Sequence, residues 1–282
     1  MKIFVTGATG VIGKSLIAAL VEKGYIVGGM TTSDSKIEVL QALGATAYVG
    51  NILEKEQVEA IIQDFQPNII IHQVTALQHG RVEDNAKVRA IGTRHLVEAA
   101  KKTNSKRLIA QSIAWAYEPG DTIAIEETPL DVNAIGRRKI TIDGIVALES
   151  AIQEIPDSVI LRYGSLYGPG TWYDSQGLIA QQYLRGEMVV NDGITSFIHI
   201  EDAVKATIEA IDWEPGIYNI ADDEPVKNSV WGRYYAEQLK ASPPKYIDGK
   251  DQWERGAFNQ KAKEAGLHLR FPSWRKGFIM EE

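Results

Sequence analysis

The 282-residue chain has no cysteine, which excludes disulfides and thiolate metal sites and fits a reducing compartment. It has no apolar run long enough to cross a bilayer. Met1 leads directly into the apolar segment Lys2–Val5, so neither a signal peptide nor a membrane partner is expected and the cytoplasm is the expected location. Surplus positive charge is absent as well: 30 Lys and Arg stand against 37 Asp and Glu, and the net charge of −7 argues against a nucleic-acid partner. The histidines, among them His72, His79, His95 and His268, show no His-Glu-x-x-His spacing, so no metal site is expected. Repeats and low-complexity tracts are also missing.

What is present is an alternation of two periods. Short unalternated apolar runs occur at Ile3–Val5, Tyr25–Met30, Ala45–Val49, Ile69–His72, Arg107–Ala110 and Ser158–Arg162. Such runs suit strands buried on both faces of a parallel sheet. Helical patterns lie between them: Val11–Lys23, Glu54–Phe65 (Val58, Ile61, Ile62 and Phe65 on one stripe), Asp84–Lys102 (Val88, Ile91, Leu96, Val97) and Arg138–Glu154. The βαβ rhythm predicts an α/β fold with a doubly wound parallel sheet. After Arg162 the rhythm changes. Gly164–Gly170 is loop chemistry, a helix is expected over Gly177–Arg185, short strands over Phe197–Ile200 and Gly216–Ile220, and a helix over Val226–Leu239. The domain reading is a Rossmann domain from 1–163 and 197–220, with a small substrate lobe from 164–196 and 221–282.

Thr6–Gly13 reads Thr-Gly-Ala-Thr-Gly-Val-Ile-Gly, between the first strand and the first helix. Gly7 permits a tight turn, Gly10 lets backbone N–H groups approach a pyrophosphate, and Gly13 permits close helix–sheet packing. The helix N-terminus then offers its unpaired donors to the anion. The strand–turn–helix context makes this a dinucleotide site, formed by Gly7, Thr9, Gly10, Val11, Ile12 and Gly13. The end of the second strand reads Met30-Thr-Thr-Ser-Asp-Ser-Lys36. Thr31, Thr32 and Ser33 are neutral hydroxyl residues, Lys36 can meet a 2′-phosphate, and Asp34 is expected as a helix N-cap, so NADP is favoured over NAD.

Several segments together resemble the extended short-chain dehydrogenase/reductase family, the NAD-dependent epimerase/dehydratases: the glycine turn, Gly50-Asn-Ile-Leu53, Ile91–Ala100 with the Gly92-Thr93 pair, Leu161–Gly170 and Ser196–Asp202. The resemblance covers nearly the whole chain, with the motifs in family order. It places Asn51 where the family usually has an adenine-binding Asp, and it extends the cofactor site to Ile52, Val74, Thr75, Ala76, Gln111 and Tyr163. It implies a small-molecule substrate and leaves a homodimer open.

The same resemblance fails at the reaction centre. The family uses a Ser or Thr beside the fifth strand and Tyr-x-x-x-Lys on the next helix. Aligned on Glu149, those helix positions hold Thr141 and Ile145. Aligned on Tyr117, the serine position holds Ile113, with Ser112 one place earlier. Neither Thr nor Ile supplies an acid–base group near neutral pH. The candidate catalytic residues are therefore Tyr163, Ser112 and Thr141. Tyr163 is either a relocated acid or pocket wall, and Arg138 or Lys139 is the nearest candidate for a supporting cation. Trp172, Tyr173 and Trp115 are candidate substrate contacts, since aromatics stack on rings and sugar faces as well as filling cores. The leading reading is an NAD(P)-dependent oxidoreductase or epimerase/dehydratase acting on a small polar substrate without the usual Tyr/Lys pair. The alternatives are a nucleotide-binding sensor and a scaffold with a vestigial site.

Overall fold

A computed structural model describes residues 1–77, 81–103 and 105–278, and His79 lies outside them. The chain divides into two compact units. The first comprises 1–112, 132–161 and 207–217. Its elements are β1 (Lys2–Thr6), α1 (Val11–Glu22), β2 (Ile26–Thr31), α2 (Ile37–Ala42), β3 (Thr46–Val49), α3 (Lys55–Phe65), β4 (Ile69–His72), α4 (Val82–Lys87), α5 (Thr93–Lys101), β5 (Arg107–Ile113), α6 (Gly136–Ile152) and β6 (Ser158–Tyr163). With a later strand, β11 (Gly216–Ile220), they build a seven-stranded sheet of order β11-β6-β5-β4-β1-β2-β3. The ladders β1–β2, β1–β4, β2–β3 and β4–β5 are all parallel.

This is the doubly wound sheet expected from the apolar runs, largely buried in β1, β4, β5 and β6 because helices cover both faces, while the edge strand β3 is half-buried to exposed. The winding reverses at β1, which pairs with β2 on one side and β4 on the other. Ligands in open α/β sheets bind at the carboxyl ends of the strands at such a switch point. Here Thr6 pairs with His72 at that end, and Gly7 follows.

One expected helix is interrupted. Between α4 and α5 the residues Val88–Gly92 form a π turn. The wider turn shifts the helical phase, so Val88, Leu96 and Val97 are buried while Ile91 is 42% exposed instead of sharing their stripe. Gly92 lies in close contact with Ile52, where an added Cβ would meet its side chain at 2.8 Å.

The second unit comprises 113–131, 162–206 and 218–282. Its strands are short: β7 (Ser165–Tyr167) pairs with β10 (Phe197–His199), β8 (Val189–Val190) with β13 (Lys245–Tyr246), and β9 (Ile194–Thr195) with β12 (Val226–Lys227). Its helices are α7 (Leu178–Leu184), α8 (Ile200–Glu209, running on into the first unit), α9 (Asn228–Gln238), α10 (Gln260–Glu264) and α11 (Trp274–Gly277). The helix expected from Val226 starts at Asn228, because Val226 and Lys227 are taken by the ladder to β9. The core is aromatic: Tyr167, Tyr183, Phe197, Trp231, Tyr235, Trp274 and Phe278 pack together, mostly edge to face.

Candidate nucleotide site and reaction centre

The glycine turn is held by its own backbone. Gly7 adopts φ +72°, its carbonyl accepts the Gly10 N–H at 3.0 Å, and Gly10 caps α1 without any side-chain hydrogen bond. The first turn of α1 has no acidic residue. The helix therefore presents uncompensated N–H groups and the positive end of its dipole. A Cβ at Gly7 would strike the Gln73 backbone at 2.6 Å, and one at Gly13 would collide with Gly7's carbonyl oxygen. At Gly10 an added Cβ meets Gly7's oxygen alone, at 3.1 Å. The fold thus needs Gly7 and Gly13, whereas Gly10 borders open space of the kind a pyrophosphate fills. The residues present fit a dinucleotide.

Around the turn, the hydroxyls of Thr9 and Thr31 lie 3.3 Å apart. Thr32 and Lys36 are exposed, and the Ser33 hydroxyl lies 2.8 Å from that of Ser35. Asp34 is not the N-cap: Ser33 occupies that position, and Asp34 sits inside the 3-10 turn Asp34–Lys36. Asn51 is turned inward locally, its Oδ1 accepting the Leu53 N–H at 3.0 Å. Ile52 is buried, Val74 and Ala76 are half-buried, Thr75 is exposed, and Gln111 donates to the Val74 carbonyl at 3.3 Å. At the switch point His72 bridges two hydroxyls, Thr6 Oγ1 at 2.8 Å and Thr93 Oγ1 at 3.1 Å. Full burial pushes its imidazole down to about 4, so it is neutral near pH 7. A shallow hollow lined by Met1, Asn68, Arg107 and Asp157 lies instead at the amino ends of the strands, away from this chemistry.

The model of the NAD dependent epimerase/dehydratase family matches residues 3–221. The chain belongs to this family. It is an NAD(P)-dependent enzyme with the family's nucleotide-binding Rossmann fold. One relative, the 3-diazoavenalumate denitrifying reductase of a Streptomyces species, is 34% identical over the full length of both chains. Among solved structures, the Bordetella bronchiseptica enzyme WbmH, in complex with NAD+, superposes with a TM-score of 0.82 at 20% identity, covering 99% of this chain and 95% of that one. A UDP-glucose 4-epimerase of Thermotoga maritima, solved with UDP-glucose, gives 0.78 at 23% identity, covering 99% and 96%. These two likenesses concern the fold.

The helix on which the resemblance expects the proton-transfer pair is α6. Thr141 on it is half-buried, and Ile145 is fully buried. Lys139 is exposed and pairs with Asp143 at 2.8 Å. Ser112, at the end of β5, is buried and donates to Glu149 Oε1 at 2.6 Å. Arg89, brought inward by the π turn and 4% exposed, acts electrostatically on the same carboxylate. Burial lowers the Arg89 guanidinium to about 10, with Glu149 opposing that shift. Three elements thus converge on a buried Ser–Glu–Arg cluster. Neither Arg89 nor Glu149 was singled out from the sequence as functional. The signal was there: Glu149 falls on the apolar stripe Ile142, Ile145, Leu148 and Ile152, all buried.

In the second unit Tyr163 is buried, its carbonyl accepting the Ala114 N–H at 2.8 Å. Tyr117 is held by Arg162 Nη1 at 3.0 Å and donates to Asn219 Oδ1 at 2.6 Å, and burial raises its phenol to about 12. That phenol is an anchor for its loop. Tyr173 packs against Phe197, Trp231, Tyr235 and Phe278, and burial likewise raises it to about 12. Trp172 and Trp115 are 45% and 40% exposed. Among the described residues no group of three or more His, Asp or Glu could hold a metal, and no helix is long and apolar enough to cross a membrane.

Proposed function

We propose that this protein is a cytoplasmic NADPH-dependent reductase whose substrate accepts a hydride without needing a proton from a tyrosine–lysine pair, and that an aryl diazo compound is that substrate. The observation that supports the reading is on α6, where Thr141 is half-buried and Ile145 fully buried, the two residues that the resemblance aligns with the family's acid–base pair. The full-length relative whose name denotes a denitrifying reductase of a diazo compound supports it. The nicotinamide, when bound, supplies a hydride. On the substrate side the balance is simple: an aryl diazonium gains a hydride on carbon, the carbon–nitrogen bond breaks, and dinitrogen leaves with the bonding pair, giving the arene. No proton is required, so a residue with pKa near 7 has no task.

The chain's own residues then bind and orient. Gly7, Gly10, Gly13 and the N-terminus of α1 hold the pyrophosphate, and Thr32, Ser33 and Lys36 hold a 2′-phosphate. Asn51, Ile52, Val74–Ala76 and Gln111 line the rest of the nucleotide. Ser112, its proton directed to Glu149, keeps its lone pairs for a donor on the ligand. Thr141 orients, and Tyr163 serves as wall. Residues 164–196 and 221–282 supply the substrate lobe.

The test is NADPH oxidation, followed by absorbance, with a diazotised aminohydroxycinnamate, a panel of ketones and UDP-glucose, with dinitrogen release measured in parallel. Oxidation confined to the diazo compound, retained in Tyr163→Phe, is the expected result. Turnover of ketones that is abolished by Tyr163→Phe would replace this reading with carbonyl reduction through a relocated acid. Tight NADPH binding without oxidation of anything would make the protein a sensor.

A further inference from the structure

We infer that Trp115 and Trp253 form a stacking platform for the aromatic ring of the substrate, an inference that rests on the reductase reading for its reaction but not for its binding. Trp115 lies two residues beyond the end of β5, so its Cα is within about 7 Å of Ile113, the last residue of that strand. The carboxyl end of such a strand is where this class of sheet presents ligands. In the run Ala114–Tyr117, two alanines and a tyrosine are 3%, 0% and 1% exposed, while the tryptophan between the alanines is 40% exposed. The small residues face inward and the largest apolar one faces out, the reverse of what core packing alone selects.

This exposure does not come from a loose segment. The run is fixed by Ala114 N–H to the Tyr163 carbonyl at 2.8 Å, Asp131 N–H to the Ala116 carbonyl at 2.9 Å and the Tyr117–Leu130 bridge. A second strap, 252–258, is tied to it. Arg255, 8% exposed, donates to the Thr122 carbonyl at 2.6 Å, the Glu118 carbonyl at 3.0 Å and Thr122 Oγ1 at 2.9 Å. Gly120 N–H to the Gln252 carbonyl and Ala124 N–H to the Gly256 carbonyl, both 3.1 Å, complete the tie. The clamp brings the Trp253 ring to 6.4 Å from that of Trp115, tilted by 49°. At that tilt the two rings do not cover each other, and a rigid aromatic surface is held ready at low ordering cost.

The occupant is a planar aromatic ring bearing few hydroxyls. A sugar would need hydrogen-bond partners around its rim, but the residues flanking Trp115 are alanines, Arg255 of the strap and Thr122 of the loop are engaged in the clamp, and Glu254 accepts from Asn191 and Asn228. Offset stacking on indole satisfies a ring without them.

Calorimetric titration of the full-length protein with 4-hydroxycinnamate, and separately with UDP-glucose, tests this without turnover. In Trp115→Ala the cinnamate Kd should rise about tenfold, the scale of one stacking contact, and Trp253→Ala should raise it several-fold. Trp115→Phe should stay within about threefold of the parent, and NADPH affinity and the melting temperature should hold in all three. Unchanged cinnamate affinity in Trp115→Ala overturns the platform, as does a Trp115-dependent loss for UDP-glucose alone. If diazo reduction is seen but its KM is untouched by Trp115→Ala, the platform falls and the reaction stands. If cinnamate binding is Trp115-dependent and no diazo compound is reduced, the reverse holds.

Discussion

The two units bury ionisable groups in opposite senses. In the first, His72 sits neutral between two threonine hydroxyls, held down by desolvation. In the second, Asp222, 1% exposed, is pushed up to about 8 by desolvation, against the pull of the Glu224 and Trp274 backbone N–H groups. Their cores differ to match: the first packs branched aliphatics such as Ile62, Ile70, Val97 and Leu108 between periodic elements, whereas the second packs aromatics at steep angles around strands of two or three residues. The first unit is a frame whose tolerance is set by backbone proximity. The second is shaped by large side chains filling irregular space.

The sharpest way to break this contrast is at the glycine turn. Gly13→Val should destabilise the protein by about 3 kcal/mol or more, because its Cβ has only backbone to displace. Gly10→Val should keep the parent's melting temperature within a few degrees and lose NADPH affinity by about a hundredfold or more. Equal melting curves for the two variants, or intact nucleotide affinity in Gly10→Val, would remove the distinction between frame and ligand glycine.

A second measurement separates the units by pH. His72 has a folded value near 4 against 6.5 unfolded, so the unfolded chain binds the extra proton and stability falls as pH drops through that window. The contribution is about 3 kcal/mol, complete above pH 6.5 and lost towards pH 4. Asp222 has a folded value near 8 against 3.8, so the folded chain binds the extra proton and stability falls as pH rises from 4 to 8. Denaturant unfolding across pH should show His72→Gln flattening the acid limb and Asp222→Asn the alkaline one. If both variants flatten the same limb, one of these protonation states is misassigned.

The smallest expected effect is the choice of nucleotide. NADPH should bind about tenfold more tightly than NADH, a preference worth about 1.4 kcal/mol, and Lys36→Ala should erase most of it. Tighter NADH binding would reverse the reading of Thr32, Ser33 and Lys36.

The first unit was legible in the sequence because its strands are continuous Ile and Val runs and its helices have one apolar stripe each. Ser158–Arg162 and Ile69–His72 appear where the runs place them. The π turn was hidden, since Val88 and Ile91 keep ordinary helical spacing while the backbone does not. In the second unit, β8, β9, β12 and β13 span two residues each, too few for any period to show. The glycine turn could be read from its spacing together with the strand before it and the helix after it. Arg89 could not, because what makes it unusual is its burial beside Glu149, and charge on a helix is ordinarily solvated.

The Arg255 clamp also bears on how the chain is made. Its bonds to Thr122 and Glu118 join residues 133 and 137 apart in sequence. On the ribosome, every segment of the first unit has been synthesised by residue 217, while the strap that fixes the Trp115 loop is still to come. Domains fold largely in order of synthesis, and contacts of such long range close late. The first unit therefore takes shape on a nascent chain whose Trp115 loop is not yet tied, and the Trp115–Trp253 pair is among the last parts of the molecule to be set.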